Sequence, residues 1–190
     1  MRHIGIIGTA GRGRQLSRDH YDWMAFKALE HIKKDDTLVS GGAAWADHVA
    51  VSLFLIGKAN KLVLHLPAPL DLEKQEFAGG NNSPGGIANY YHRLFSFTMG
   101  KPGQSLKTLC SLVENPQVKM TVSPGFHARN ALVARQSELM LAFTFGEGSQ
   151  PLDGGPHTLG VSPSATRSII HSWRSNDLTN RKARARRLRR

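Results

Sequence analysis

With 190 residues, 40% of them hydrophobic, the chain can bury one sizeable core and is short for two. No run of eighteen uncharged apolar residues occurs, and the opening MRHIGIIGTAGR lacks the apolar stretch and small-residue cleavage site of a secretory leader, so a soluble cytoplasmic protein without membrane contact is expected. The formal charge of +11 is concentrated at one end: RKARARRLRR, the last ten residues, carries seven basic side chains, and removing them leaves only +4, which excludes a uniformly basic surface.

In chain order, His3 to Thr9 (HIGIIGT) is a β-branched run that breaks into glycines, as a buried first strand does when it feeds a turn. From about Gln15 to Lys34, Tyr21, Met24, Ala25, Ala28, Leu29 and Ile32 recur at three and four and predict a helix. Thr37 to Ser40 is a second strand stopped by Gly41 and Gly42, Ala44 to Gly57 a helix, and Lys61 to Leu66 a third strand ended by Pro67. Asp71 to Gln104 breaks the rhythm with AGGNNSPGG and NYYHRLFSFTMG, an insertion with an amphipathic helix near Ala88 to Met99. Helix from Ser105 to Glu114, strand from Val118 to Val122, helix from about Ala128 to Ser137 and strand from Leu139 to Phe145 restore the alternation. A last helix is expected near Ser164 to Ser175, carrying Ile169, Ile170 and Trp173. The pattern predicts an α/β fold, a Rossmann-like three-layer sandwich with a mainly parallel sheet of at least five strands over residues 1–176, followed by a flexible basic tail over 177–190. Cys110, the single cysteine, shares helical spacing with Leu106, Leu109 and Val113 and reads as core.

Ligands of open parallel sheets bind at the carboxyl ends of strands, where turns and helix N-termini converge. Three glycine clusters fall at such ends. The first, Gly8-Thr9-Ala10-Gly11-Arg12-Gly13-Arg14, lets backbone approach an anion while Arg12 or Arg14 offers a fork for phosphate. The second, Ser40-Gly41-Gly42-Ala43-Ala44-Trp45-Ala46-Asp47, opens a helix with small residues; Asp47 suits either ribose hydroxyls or the helix dipole. In the third, Ser123-Pro124-Gly125-Phe126-His127-Ala128-Arg129-Asn130, Arg129 and Asn130 fall in a first helical turn.

Taken in order, a GT turn with a nearby Arg, SGGAxxAD opening a helix, FxARN opening another, and a strand ending LAFTFG resemble the SLOG superfamily of Rossmann-like proteins. The likeness is strongest to its YspA/YpsA-like branch and to related uncharacterised phage proteins, and it runs from roughly Ile4 to Thr158. It implies a nucleotide-type pocket formed by Gly8, Thr9, Gly11, Arg12, Ser40, Gly41, Gly42, Arg129, Asn130 and Thr158, and a homo-oligomer. The LOG enzymes of that superfamily cleave an N-glycosidic bond with a PGGxGTxxE segment; here SGGAAWAD lacks that glutamate and DGGPHT replaces a DGGT-like segment. DprA-like members bind single-stranded DNA, and other SLOG domains sense cyclic or NAD-derived nucleotides.

Glycosidic hydrolysis needs a carboxylate beside the anomeric carbon, for which Asp47 and Asp153 are the candidates and Glu147 a poorer one. A sensor or sponge of signalling nucleotides would use the same pocket without an acid. The alternative is a nucleic-acid-binding protein in which Arg181, Lys182, Arg184, Arg186, Arg187, Arg189 and Arg190 hold RNA or DNA phosphates and Tyr90, Tyr91, Phe95 and Phe97 stack bases, with His92 and Arg93 on the backbone. Nine histidines are present, none in HxH or HExxH spacing, so neither a metal site nor a cofactor is expected; His127 and His157 sit in pocket-forming segments as possible donors.

Overall fold

In the computed structural model of the chain, residues 1–11, 15–145 and 167–173 are described. The elements run β1 (His3–Gly8), α1 (Arg18–Leu29), β2 (Thr37–Ser40), α2 (Ala46–Leu55), β3 (Lys61–Leu66), β4 (Leu70–Asp71), β5 (Glu76–Phe77), α3 (Pro84–Thr98), α4 (Gln104–Ser111), β6 (Val118–Val122), α5 (Gly125–Gln136), β7 (Leu139–Phe145) and β8 (Arg167–Trp173). Six strands form one parallel sheet in the order β6-β3-β2-β1-β7-β8, and β4 and β5 make a small antiparallel hairpin. This is a Rossmann-like three-layer α/β sandwich.

The strands read as almost unbroken apolar runs because both faces of the sheet are covered. Alternate residues sort cleanly. Ile4, Ile6, Leu38, Leu62, Leu64, Leu141 and Phe143 join the larger cluster with α1, α2 and the α3–α4 excursion, whereas Ile7, Val39, Val63, Met140 and Ala142 meet Val133 of α5 on the other face. Right-handed crossovers explain this division. From β1 the chain steps through β2 and β3 to β6 in one direction, so its connecting helices share a face; α5 then returns past β1 to β7 and covers the opposite face. Connections therefore diverge between β1 and β7, the position where a parallel sheet opens a crevice at its carboxyl edge.

Local differences from the sequence expectation have identifiable causes. Residues 167–173, expected within a helix, form β8 instead, paired along its whole length with β7. Ile169 packs against the larger cluster and His171 stacks on Phe143 at 5.3 Å, while Ile170 between them is 37% exposed. That alternation has period two, and the open edge of β7 supplies the hydrogen bonds that decide it. Helix α1 is shorter than expected, and Trp23 belongs to its buried face while Leu29 is partly exposed. The insertion is an ordered unit. Asn89 of α3 clamps the hairpin by accepting from Phe77 N at 2.8 Å and donating to Phe77 O at 2.9 Å.

Gly8 closes β1 against β7: its φ is +155°, Thr9 N donates to Phe143 O at 2.9 Å, and any Cβ at Gly8 would overlap that same carbonyl. The Gly8→Ala variant should lose more than about 2 kcal/mol of unfolding free energy, read by urea titration; a loss below half of that would mean the β1–β7 contact can relax.

Candidate functional site

The carboxyl edge is assembled from the turns that follow β1, β2 and β6. After β1, Thr9 is buried and its Oγ1 accepts from Gly11 N at 3.1 Å, a side-chain turn that fixes the loop. Thr9 O in turn accepts from Ala46 N at 3.4 Å, tying this loop to the first residue of α2. Trp45, the residue before α2, holds a positive φ of 65° although it is not glycine. Its indole is 3% exposed and meets Phe95 edge-on at 5.0 Å, so packing holds a backbone conformation that a free chain would avoid.

The turn after β2 is crossed by a buried ion pair. Asp47, in the first turn of α2, and Arg129, in α5, form an ion pair with side chains 3% and 8% exposed. Their elements cover opposite faces of the sheet, so the pair reaches across its carboxyl edge. It does so over Gly41, where a Cβ would run into the Arg129 guanidinium and the Asp47 carboxylate. Ala43 N donates to Asp47 Oδ2 at 3.4 Å and Ser40 Oγ donates to Asp47 O at 3.0 Å. The Arg129 Nε is buried without a hydrogen-bond partner, and the Phe126 ring lies 5.6 Å from the guanidinium carbon.

Behind this turn, α3 contributes a polar network that the sequence did not announce. His92 is fully buried; its Nε2 lies 3.0 Å from Gly42 O and its Nδ1 3.0 Å from Ser105 Oγ, which is itself 2.7 Å from Ser96 Oγ. A donor is needed at Nε2 to satisfy the Gly42 carbonyl. Burial pushes His92 down to about 4, against the hydrogen bond to Gly42 O and helped by the nearby charge of Arg129. His48, edge-on to His92 at 5.8 Å, is lowered to about 3 by burial and by His92. Both imidazoles are neutral in the folded protein at neutral pH.

Of the residues singled out in the sequence, Gly8 and Ser40 end β1 and β2, Thr9, Gly11, Gly41 and Gly42 lie on the turns that follow, and Asp47 is in the first turn of α2, whereas Arg129 and Asn130, expected in a first helical turn, fall in the second turn of α5 because that helix begins at Gly125; Ser40 and Asn130 are buried. Asp47 and Arg129 were expected as separate groups, a carboxylate for ligand or catalysis and a rim cation; the structure joins them. Arg12, Glu147, Asp153, His157, Thr158 and the basic residues Arg181, Lys182, Arg184, Arg186, Arg187, Arg189 and Arg190 lie outside the described residues. The aromatic set on α3 divides: Phe95, expected to stack bases, and His92, expected on a nucleic-acid backbone, are buried in the core and removed from those roles, whereas Tyr90 and Phe97 are 58% and 74% exposed. Among the described residues no three His, Cys, Asp or Glu side chains converge as a metal site, and no helix is long and apolar enough to cross a membrane.

The buried histidines make stability depend on acid in a definite direction. Unfolded imidazoles protonate near 6.5, so above that pH neither state carries the extra protons and the full stability is present. Below it the unfolded chain takes up protons that the folded chain refuses until about pH 4 for His92 and about pH 3 for His48, and stability falls over that window. Each group contributes up to about 1.4 kcal/mol per pH unit. Urea unfolding at pH 7.5 and pH 5 should show this loss, and His92→Gln, which keeps a donor for Gly42 O, should make the pH dependence shallower.

No protein-family model matches the chain, and no solved structure does. It is 35% identical over 158 residues to "Uncharacterized protein R261" of Acanthamoeba polyphaga mimivirus, a match covering 76% of this chain and 82% of that protein. Identity at this level across most of both chains marks common descent, and the chain belongs to the same family as the mimivirus protein R261.

Proposed function

We propose that the protein binds a nucleotide or nucleotide-derived ligand at the carboxyl edge of its sheet, with Arg129 meeting the ligand's anionic group. The observation that carries this reading is the state of Arg129: a buried guanidinium, held by Asp47 over a glycine that leaves it room, with Nε unpartnered. A buried donor without an acceptor costs about 1–3 kcal/mol. A ligand oxygen at this position would remove that cost. Support comes also from the N-termini of α2 and α5, whose dipoles favour negative charge at this edge, and from the divergence of connections between β1 and β7. The order of the glycine clusters, which resembles SLOG proteins, favours the same ligand class.

Asp47 serves this site as the anchor of the guanidinium. A nucleophile or base for N-glycosidic hydrolysis would have to be another carboxylate, for which the sequence offers Asp153 and, as a poorer candidate, Glu147. Binding is thus the primary activity, and turnover an addition to it.

Thermal unfolding against nucleoside mono-, di- and triphosphates, NAD, ADP-ribose, cyclic nucleotides and short single-stranded DNA tests the reading. A pocket ligand at a hundredfold excess over its dissociation constant adds about 2.7 kcal/mol, or roughly 5–10 °C for a domain of this size. Arg129→Lys, which keeps the charge beside Asp47 and loses the planar fork, should lose most of that shift. Release of free base, followed by chromatography, separates an enzyme from a binder. Silence from every small molecule, or an unchanged response of Arg129→Lys, would overturn the assignment.

A further inference from the structure

Asp47 and Arg129 spend only part of their hydrogen-bonding capacity on each other. Arg129 Nη1 donates to Asp47 Oδ2, and Ala43 N donates to that same oxygen at 3.4 Å. Among the described residues Asp47 Oδ1 accepts no hydrogen bond, Arg129 Nη2 donates none, and Arg129 Nε is buried without a partner. Both side chains are more than nine-tenths buried, so these groups have little water to turn to. A carboxylate oxygen has two lone-pair sites, and the Nε–Nη2 edge of a guanidinium has two parallel donors. The clamp therefore keeps a double acceptor and a double donor side by side, both unused by the fold.

The two halves ask for different chemistry. The guanidinium edge takes two oxygens of one phosphate. Asp47 Oδ1 takes O–H or N–H donors and repels a second anionic oxygen. Because Asp47 already balances Arg129, the pair adds no net charge, and a bare oxyanion gains little from it. Two adjacent hydroxyls would fill both lone pairs of Oδ1 at once, and a sugar that carries a phosphate and a vicinal diol is a ribose phosphate. A nucleobase edge also has N–H donors, but a base is held by stacking against flat side chains. The turn beneath the pair is Gly41, which has no side chain to stack on, and the Phe126 ring takes one face of the guanidinium.

We infer that the clamp reads the sugar of its ligand: Arg129 holds the phosphate through Nε and Nη2, and Asp47 accepts through Oδ1 from the vicinal 2′- and 3′-hydroxyls, so that the site selects ribonucleotides over 2′-deoxyribonucleotides. This rests on the nucleotide reading and adds to it the class of sugar and the residue that recognises it.

Isothermal titration of the full chain with the four ribonucleoside 5′-monophosphates, their 2′-deoxy counterparts and inorganic phosphate tests the inference. A salt concentration of about 0.5 M suppresses phosphate binding to the arginine-rich end. At least one ribonucleotide should bind roughly tenfold or more tightly than its deoxy counterpart, as expected for one lost hydrogen bond to a charged group, and inorganic phosphate should bind far more weakly than either. In Asp47→Asn, the donors Arg129 Nη1 and Ala43 N draw the amide oxygen to the Oδ2 position and leave Nδ2 at the Oδ1 position. The ribose preference should then fall below about threefold, with folding checked by circular dichroism; the wild-type ratio is a test without the variant. Equal affinity for ribo and deoxy forms would overturn the inference and leave the nucleotide reading standing. A preference that Asp47→Asn retains would overturn the role of Asp47. Silence toward all eight nucleotides would overturn the inference too, and the wider ligand panel decides whether the nucleotide reading falls with it.

Discussion

The ion pair between Asp47 and Arg129 is the interaction on which the carboxyl edge depends. Removing two charges from water costs several kcal/mol for each ion unless geometry and further hydrogen bonds offset it. Here the offset is built from both sides of the sheet. Asp47 sits in the first turn of α2, where the helix dipole favours a carboxylate, and also accepts from Ala43 N. Arg129 arrives from α5 on the opposite face, and Gly41 between them has no Cβ to keep the charges apart. The layers of a three-layer sandwich ordinarily communicate only through the sheet. This pair connects the outer two directly, at the edge where the fold gathers its glycine turns.

Around that clamp the structure uses rigid, neutral supports. Trp45 keeps an unfavourable backbone angle because its indole is packed against Phe95, and Phe95 also meets Tyr21 at 5.0 Å and His48 at 5.1 Å. The Tyr21 hydroxyl donates to His48 O at 3.2 Å, which ties α1 to the first turn of α2. His92 fixes the Gly42 carbonyl without adding a charge. The excursion between β3 and β6 is therefore part of the site's scaffold: its inner face orders the second glycine turn.

Much of the architecture was legible in the sequence because buried parallel strands cannot hide. HIGIIGT, TLVS, KLVLHL and LAFTF are apolar on both faces and end in breaker residues, and all became strands of the sheet. RSIIHSW was misread because Ile169, Ile170 and Trp173 suit a helical spacing as well as a strand, and only the unpaired edge of β7 distinguishes the two. Asp47 and Arg129 each stood out beside a glycine turn, yet their 82-residue separation hid the fact that they meet. His92 was expected to meet a nucleic-acid backbone and is instead buried in the core. Its role depends on the burial of α3 against Gly42, fifty positions earlier, which local pattern does not encode.

A double-mutant cycle on the unfolding free energy of Asp47→Asn, Arg129→Met and the double variant tests this account most directly. If the pair is the clamp, each single substitution strands a buried group and costs about 3–5 kcal/mol, while the double variant costs well under the sum of the two. Costs that add to within about 0.5 kcal/mol would mean that the two residues act independently and that the carboxyl edge is held together by something else.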